Sequence, residues 1–468
     1  MWNFARFGDR IAARDENGTV LSYLELDAGT NEMAKIFQER CLVFILCENN
    51  IGSLFGYVGF LKHRIVPVLL SNHIEKELLD RLIKIYCPSY LWIPSKQAAF
   101  YENFEVVYRK YDYVMLRSDF QKNYLLYGEL ALLLTTSGST GSPKFVRQSY
   151  ENIRANTESI VQYLGIDKTE RPITTLPMNY TYGLSIINSH LSVGATILLT
   201  DKGLMQKEFW TFFKEHQATS FGGVPYTYEI LDKLHFFKME LPYLRTMTQA
   251  GGKLTLELHE KFARYAAEKN RNFVVMYGQC EATARMGYLP ADKAVEKRGS
   301  MGIAIPGGKF KLIDANNEEI MVPNVTGELV YEGKNVTLGY AECGEDLIKG
   351  DERKGILITG DMAQFDEDGY FYIVGRKKRF LKIYGNRVNL DEMEQLIKGK
   401  YEIDVACTGT DDNMYLFLTD KGMEKIVKDY AVKITKLNPA AFKMILIEEI
   451  PKNDAGKIRY QELETYYG

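Results

Sequence analysis

"LLLTTSGSTGSPKFVRQ", Leu132 to Gln148, runs from three leucines into a loop of hydroxyls and glycines, then a proline and a lysine. A short apolar run stopped by glycine is the pattern of a buried strand leaving its sheet. The loop is not a Walker motif: that motif needs G-x-x-x-x-G-K-[ST], and here Gly141 is followed by Ser142, Pro143 and Lys144. Pro143 also removes a backbone donor where the Walker loop opens its helix. The amides of Gly138 to Gly141 and the hydroxyls of Thr136, Ser137, Ser139 and Thr140 still make a nest of donors for phosphate oxygens, and Lys144 adds a charge. Taken alone, the stretch fits a phosphate site and also a solvated Ser/Gly loop.

On either side the same texture repeats. "RCLVFILCEN" (40–49) and "GATILLT" (194–200) read as buried strands, while "ELLDRLIKIY" (77–86) and "KEFWTFFKEH" (207–216) space their apolar residues as helices do. "TSFGGVPYTYEILDKL" (219–234) is a further strand, glycine turn and helix. Repeated βα units predict a layered α/β domain. After about residue 300, short strand patterns with glycine and acidic turns, "GELVYEGKNVTLGY" (327–340) and "ILITGDMAQFDEDGYFYIVG" (356–375), predict a β-rich subdomain. The basic cluster Arg376, Lys377, Lys378, Arg379 then precedes "FLKIYGNRVNLDEMEQLI" (380–397), where strand and helix begin again. The boundary is placed there, giving a large N-terminal domain, 1–377, and a small α+β C-terminal domain, 378–468.

The 468 residues exceed what one core usually serves, and 46% hydrophobic with 25% charged content is that of a globular chain. A formal charge of -3 gives no bulk attraction to nucleic acid or an anionic membrane, so any polyanion bound must be small and locally recognised. No apolar stretch follows a basic one at the start, and Cys41 to Leu70 is broken by Glu48, Lys62, His63, Arg64 and Pro67, short of the roughly 20 apolar residues that span a bilayer. The six cysteines form no CxxC pair and the six histidines no HxxxH or HExxH. The expectation is a cytoplasmic protein with reduced thiols and no membrane insertion.

"TTSGSTGSPK", "MYGQCEAT" (276–283), "ITGD" (358–361), "GRKKRFLKIYGNRV" (375–388) and "PKNDAGKIR" (451–459) occur in this order, behind an entry segment "LSYLELDAGTNEMAKIF" (21–37). Together they resemble the adenylate-forming enzymes: acyl- and aryl-CoA synthetases, stand-alone carrier-protein ligases, peptide-synthetase adenylation domains and luciferase. The resemblance covers nearly the whole chain. It implies that the loop Thr136–Gly141 and Lys144 hold the β- and γ-phosphates of ATP, that Tyr277 stacks on adenine with Gly278 in the same ATP site, and that Glu281, with Thr136, ligates Mg²⁺. It implies that Asp361 accepts the ribose hydroxyls with Arg376 beside them, and that Lys457 bridges the substrate carboxylate and the α-phosphate. A mobile cation is what that step needs, since a carboxylate must attack a negatively charged phosphorus. The resemblance further implies that the small domain is mobile, turning on Lys378 so that the turn bearing Gly385 admits a pantetheine arm. Two departures stand out: Cys280 occupies a position where the family more often has Thr, and Tyr460 one where it often has Arg.

"LPMNYTYGLSIINSHL" (176–191) resembles the acid-pocket segment, with Tyr180 at its gate and Gly223, Gly251, Gly252 and Gly278 leaving room in other walls. Amino-acid-activating members carry an Asp there to pair the substrate ammonium, and none occurs between Leu176 and Ser189. A neutral acyl or aryl acid is therefore expected ahead of an amino acid. The acceptor is CoA or a phosphopantetheine carrier protein; compact stand-alone members favour the carrier by analogy alone, with about 90 residues after the hinge being small for a domain. Two other classes compete. A luciferase-like oxygenase would share every motif, and a non-catalytic binding module would be expected to lack Glu281, Asp361 or Lys457, all of which are present.

Overall fold

The computed structural model describes residues 3–101, 103–120, 124–135, 144–384, 386–453 and 457–467. Two large sheets dominate. In the first, of eight strands, Leu130–Thr135, Val66–Ser71, Leu42–Cys47 and Tyr90–Pro94 run parallel at the centre, while Phe145–Ser149 and Gly339–Ala341 continue antiparallel at one edge. The second has nine strands, with Asn272–Tyr277, Thr246–Gln249 and Ser220–Gly223 as consecutive parallel neighbours. Helices Ile51–Lys62 and Thr181–Ser192 are buried along almost their whole length and share one core with both sheets. This explains the run Cys41 to Leu70: a helix apolar on every side belongs inside a protein, and no helix among the described residues is long and apolar enough to cross a membrane. Gly52, Gly56 and Gly59 of the first helix face Tyr113, Trp92 and Met33 so closely that a Cβ would overlap them.

The expected β-rich part is a four-stranded antiparallel sheet, Gly308–Ile313, Gly327–Gly333, Ile356–Phe365 and Phe371–Arg376. Beyond it the two-stranded sheet Phe380–Ile383 with Asn386–Asn389, the three-stranded sheet Val405–Thr410, Asn413–Leu418 and Phe442–Leu446, and helices Leu390–Tyr401 and Glu424–Thr435 enclose a separate apolar cluster around Ile383, Ile397, Leu416 and Val427. Arg147, with no exposed surface, fastens the segment 338–352 to the first sheet's edge: its guanidinium donates to the carbonyls of Tyr340, Lys349 and Leu338 and pairs with Glu352. The architecture is mixed α/β, as the βα repeats predict.

Candidate active site

Parallel strands of open α/β sheets present ligands with the crevice at their carboxyl ends. Here Val224, Ala250, Gly251, Tyr277 and Gly278 lie at or just past the ends of three such strands and line a cleft of about 1110 Å³, whose other wall includes Arg376, Lys457 and Tyr460.

Asp361 is the polar centre of this cleft. It is 6% exposed, and its Oδ2 accepts from the Tyr277 hydroxyl and from Gln279 Nε2 at 2.9 Å, while Arg376 Nε stands 3.7 Å from Oδ1. The hairpin register sets Asp361 directly opposite Arg376. Burial raises the Asp361 carboxyl above its usual range, and the Tyr277 phenol, Arg376 and Gln279 oppose that rise.

Glu281 sits in the short 3-10 turn Cys280–Ala282, and its Oε1 accepts from the Tyr340 hydroxyl at 2.7 Å. Tyr340 is also the seat of two cations, with Lys144 Nζ 3.5 Å and Arg353 Cζ 4.6 Å from its ring centroid. The other Glu281 oxygen has no protein donor among the described residues, and no group of three or more His, Cys, Asp or Glu that could hold a metal is found among them. A single carboxylate of this kind fits a hard ion that takes most of its oxygens from phosphate and water.

Lys457 enters the same cleft from the far end of the chain. Its Nζ lies 5.7 Å from the Tyr180 ring centroid, and Asn453 holds its loop by accepting from the Lys457 amide at 2.9 Å and donating to its carbonyl at 2.8 Å. Burial pulls the ammonium below the usual lysine value; Cys280, Glu281 and Asp361 pull it back. Tyr460, one of the two departures, has its own partners: its hydroxyl donates to Glu394 at 2.9 Å and Arg379 lies 3.8 Å over its ring, which fastens the Lys457 loop to helix Leu390–Tyr401.

The glycines behave differently from one another. Gly251, at φ +85°, adopts a backbone that favours glycine, and a Cβ there would come within 2.9 Å of the Tyr180 hydroxyl; one on Gly252 would meet Pro225 at the same distance. Gly223 does not line the cleft as expected: a Cβ there would press on Thr227 and Tyr228, so its bareness serves helix packing. The space beside Gly278 is likewise filled, by the Ala284 carbonyl. Thr136, Ser137, Gly138, Ser139, Thr140, Gly141 and Gly385 lie outside the described residues. Lys378 falls in the 3-10 turn Lys377–Arg379, flanked by Lys377 on Glu328 at 2.7 Å and Arg379 on Asp391 and Glu394 at 2.8 and 2.7 Å. Sequence reasoning passed over Tyr340 and Gln279; both stand in or beside quoted motifs, but only the fold brings them to Glu281 and Asp361.

Known proteins share this plan. Over 352 residues the chain is 30% identical to peroxisomal OPC-8:0-CoA ligase 1 of Arabidopsis thaliana, a match covering 72% of the chain and 64% of that protein, so the chain matches less than two thirds of the relative's length. Its fold matches o-succinylbenzoate CoA synthetase of Bacillus subtilis, solved with its acyl-adenylate, at a TM-score of 0.80 and 19% identity over 98% of this chain and 97% of that one. It also matches ATP-bound MatB of Rhodopseudomonas palustris, at 0.79 and 22% identity over 99% and 98%. The family model described as AMP-binding enzyme matches residues 1–341, from the entry segment through the strand that carries Tyr340; with Lys457, Asp361 and Glu281 gathered in one cleft, the chain belongs to the AMP-binding enzyme family.

Proposed function

We propose that this chain is an AMP-forming acid–thiol ligase: it joins a carboxylic acid to the α-phosphate of ATP, releases pyrophosphate, and passes the acyl group to a pantetheine thiol. The observation that carries the reading is Lys457, which reaches from the C-terminal end of the chain into the cleft that holds Tyr180, Glu281 and Asp361.

Adenine lies against Tyr277, whose hydroxyl is already committed to Asp361, so its ring face is what it offers. Asp361 and Arg376 take the ribose, because a carboxylate has the acceptor geometry for a vicinal diol. Lys144, held beside Tyr340, and the loop Thr136–Gly141 take the outer phosphates. Magnesium would be held by Glu281 with Thr136, and when bound it neutralises phosphate charge. Lys457 touches both carboxylate and α-phosphate, relieving their repulsion as the new bond forms. Cys280 replaces a hydroxyl donor by a thiol, a weaker one. The acid enters past Tyr180, Gly251 and Gly252.

For the second step Lys457 must withdraw. The turn at Lys378 has the form a pivot needs: Lys377 is fastened to the four-stranded sheet and Arg379 to helix Leu390–Tyr401, which leaves residue 378 between two anchors. Residues 1–377 and 378–468 then act as two bodies. Lys378→Pro fixes φ near -65° and removes a backbone donor, so it should leave acid-dependent ATP–pyrophosphate exchange near normal while strongly reducing acyl transfer to pantetheine. Parallel changes in both rates would show a linker without a mechanical role. CoA is the acceptor to try first, because a CoA ligase is among the relatives; a phosphopantetheinyl carrier protein is the alternative.

The direct test is product analysis with a panel of acids. ATP should yield AMP and pyrophosphate only when an acid and Mg²⁺ are both present. Formation of ADP would contradict the reading, and light output with O₂ uptake would place the protein with the oxygenases.

A further inference from the structure

We infer that the acid carries a second carboxylate, which Arg285 receives. This rests on the proposed acid activation and names its substrate class.

Arg285 is 2% exposed and lines the same cleft as Lys457. Its partners among the described residues are all neutral. Nε donates to Ser185 Oγ at 3.1 Å, Nη1 to the Tyr163 hydroxyl at 3.0 Å and to Met276 Sδ at 3.1 Å, and the guanidinium lies 5.2 Å over the Tyr182 ring. Among the described residues no carboxylate comes within ion-pair distance and Nη2 donates to nothing. A buried arginine held only by hydroxyls, a thioether and a ring is an uncompensated charge, which is costly unless a counter-ion arrives.

The chain goes to some length to put it there. Thr283 and Ala284 both have positive φ, +52° and +88°, a backbone that residues other than glycine rarely adopt and that clusters at functional sites. Asn335 and Asn156 then clamp the turn by donating to the Arg285 carbonyl at 3.0 and 2.8 Å. The side chain is thereby turned inward.

Two cations therefore flank a tyrosine pair. Lys457 lies over Tyr180, Tyr180 meets Tyr182 edge-on at 6.4 Å, and Tyr182 lies under Arg285. An acid whose reacting carboxylate meets Lys457 and whose body lies along the two rings would present its far end to Arg285. A planar guanidinium with free N–H groups is matched by a carboxylate, which can accept two parallel hydrogen bonds. A substrate ammonium would be repelled, in keeping with the missing Asp between Leu176 and Ser189. The neutral acid expected from that absence is replaced by a dicarboxylic one.

The test measures ATP–pyrophosphate exchange with straight-chain and aryl dicarboxylic acids, each against the monocarboxylic acid of equal carbon count. The best diacid should exceed its monoacid in kcat/KM by on the order of 10²-fold or more, since a site that pairs a polar group rejects the analogue lacking it. In Arg285→Met that ratio should fall toward one, and Arg285→Lys should restore part of it. Monoacids equal to diacids in the natural protein would overturn the inference, whether or not the variants fold. So would an Arg285→Met variant that slows both acids by one factor, which would make the arginine structural. Exchange with no acid of either kind would instead defeat the activity reading itself.

Discussion

Lys457→Ala is expected to slow acid-dependent ATP–pyrophosphate exchange by about 10²–10³-fold or more, the scale at which removing one preorganised group from a charged transition state is felt. Conversion of preformed acyl-adenylate and CoA to thioester should survive, because the thiol approaches only after this side chain has left. The side chain can be removed without unfolding the site: Tyr180 packs on Tyr182 and its amide donates to the Pro177 carbonyl at 3.1 Å, while Asn453 meets Lys457 through the Lys457 backbone amide and carbonyl, which alanine keeps. The pH profile offers a second readout. Burial depresses the Lys457 pKa, and the step needs the charged form, so the natural protein should lose exchange as pH rises through a value below the ordinary lysine range. The alanine variant should lack that limb. Equal loss in both half-reactions would make Lys457 structural.

Gly278→Ala should be the other severe change. A Cβ at this position would overlap the Ala284 carbonyl oxygen and crowd Arg285 Cα at 2.9 Å, and both atoms are backbone. The neighbouring turn has no freedom to retreat: Thr283 Oγ1 donates to the Asn335 carbonyl at 2.7 Å, and Asn335 Nδ2 donates back to the Ala282 carbonyl at 2.8 Å. Overpacking of this kind costs about 1–3 kcal/mol of stability. The same displacement moves Tyr277 and Glu281, and a shift of about 1 Å in a positioning group can cost on the order of 10²-fold in rate. Exchange rates and a melting curve measured together decide the matter; a variant that melts and exchanges like the natural protein would show that the loop between Tyr277 and Arg285 is soft.

What the sequence makes legible is local. Asp361 and Arg376 belong to one hairpin, with the acidic turn between Phe365 and Phe371 marking its bend, so their meeting follows from the pattern of the strands. The helices at 77–86 and 207–216 likewise fall where their apolar spacing puts them, at Lys76–Tyr86 and Lys207–Glu215. Tyr340 was not legible in this way. It reaches Lys144 because Gly339–Ala341 pairs antiparallel with Phe145–Ser149, setting Ala341 opposite Phe145, a register between distant segments that neither segment announces. Arg285 was hidden for a different reason: two left-handed residues turn it inward, and nothing in "EATAR" signals them. Gly223 misled because a bare position beside a pocket segment was read as room for a ligand, whereas Thr227 and Tyr228 use it.

The most direct test of the central claim follows an atom. The natural protein is incubated with ATP, Mg²⁺, CoA and an activating acid whose carboxylate carries oxygen-18, and the products are analysed by mass spectrometry. If the carboxylate attacks the α-phosphorus and the thiol then cleaves the acyl carbon–oxygen bond, one labelled oxygen must remain on AMP, the other must stay in the thioester carbonyl, and pyrophosphate must carry none. Label in pyrophosphate or inorganic phosphate, or a nucleotide product of ADP, would contradict the account.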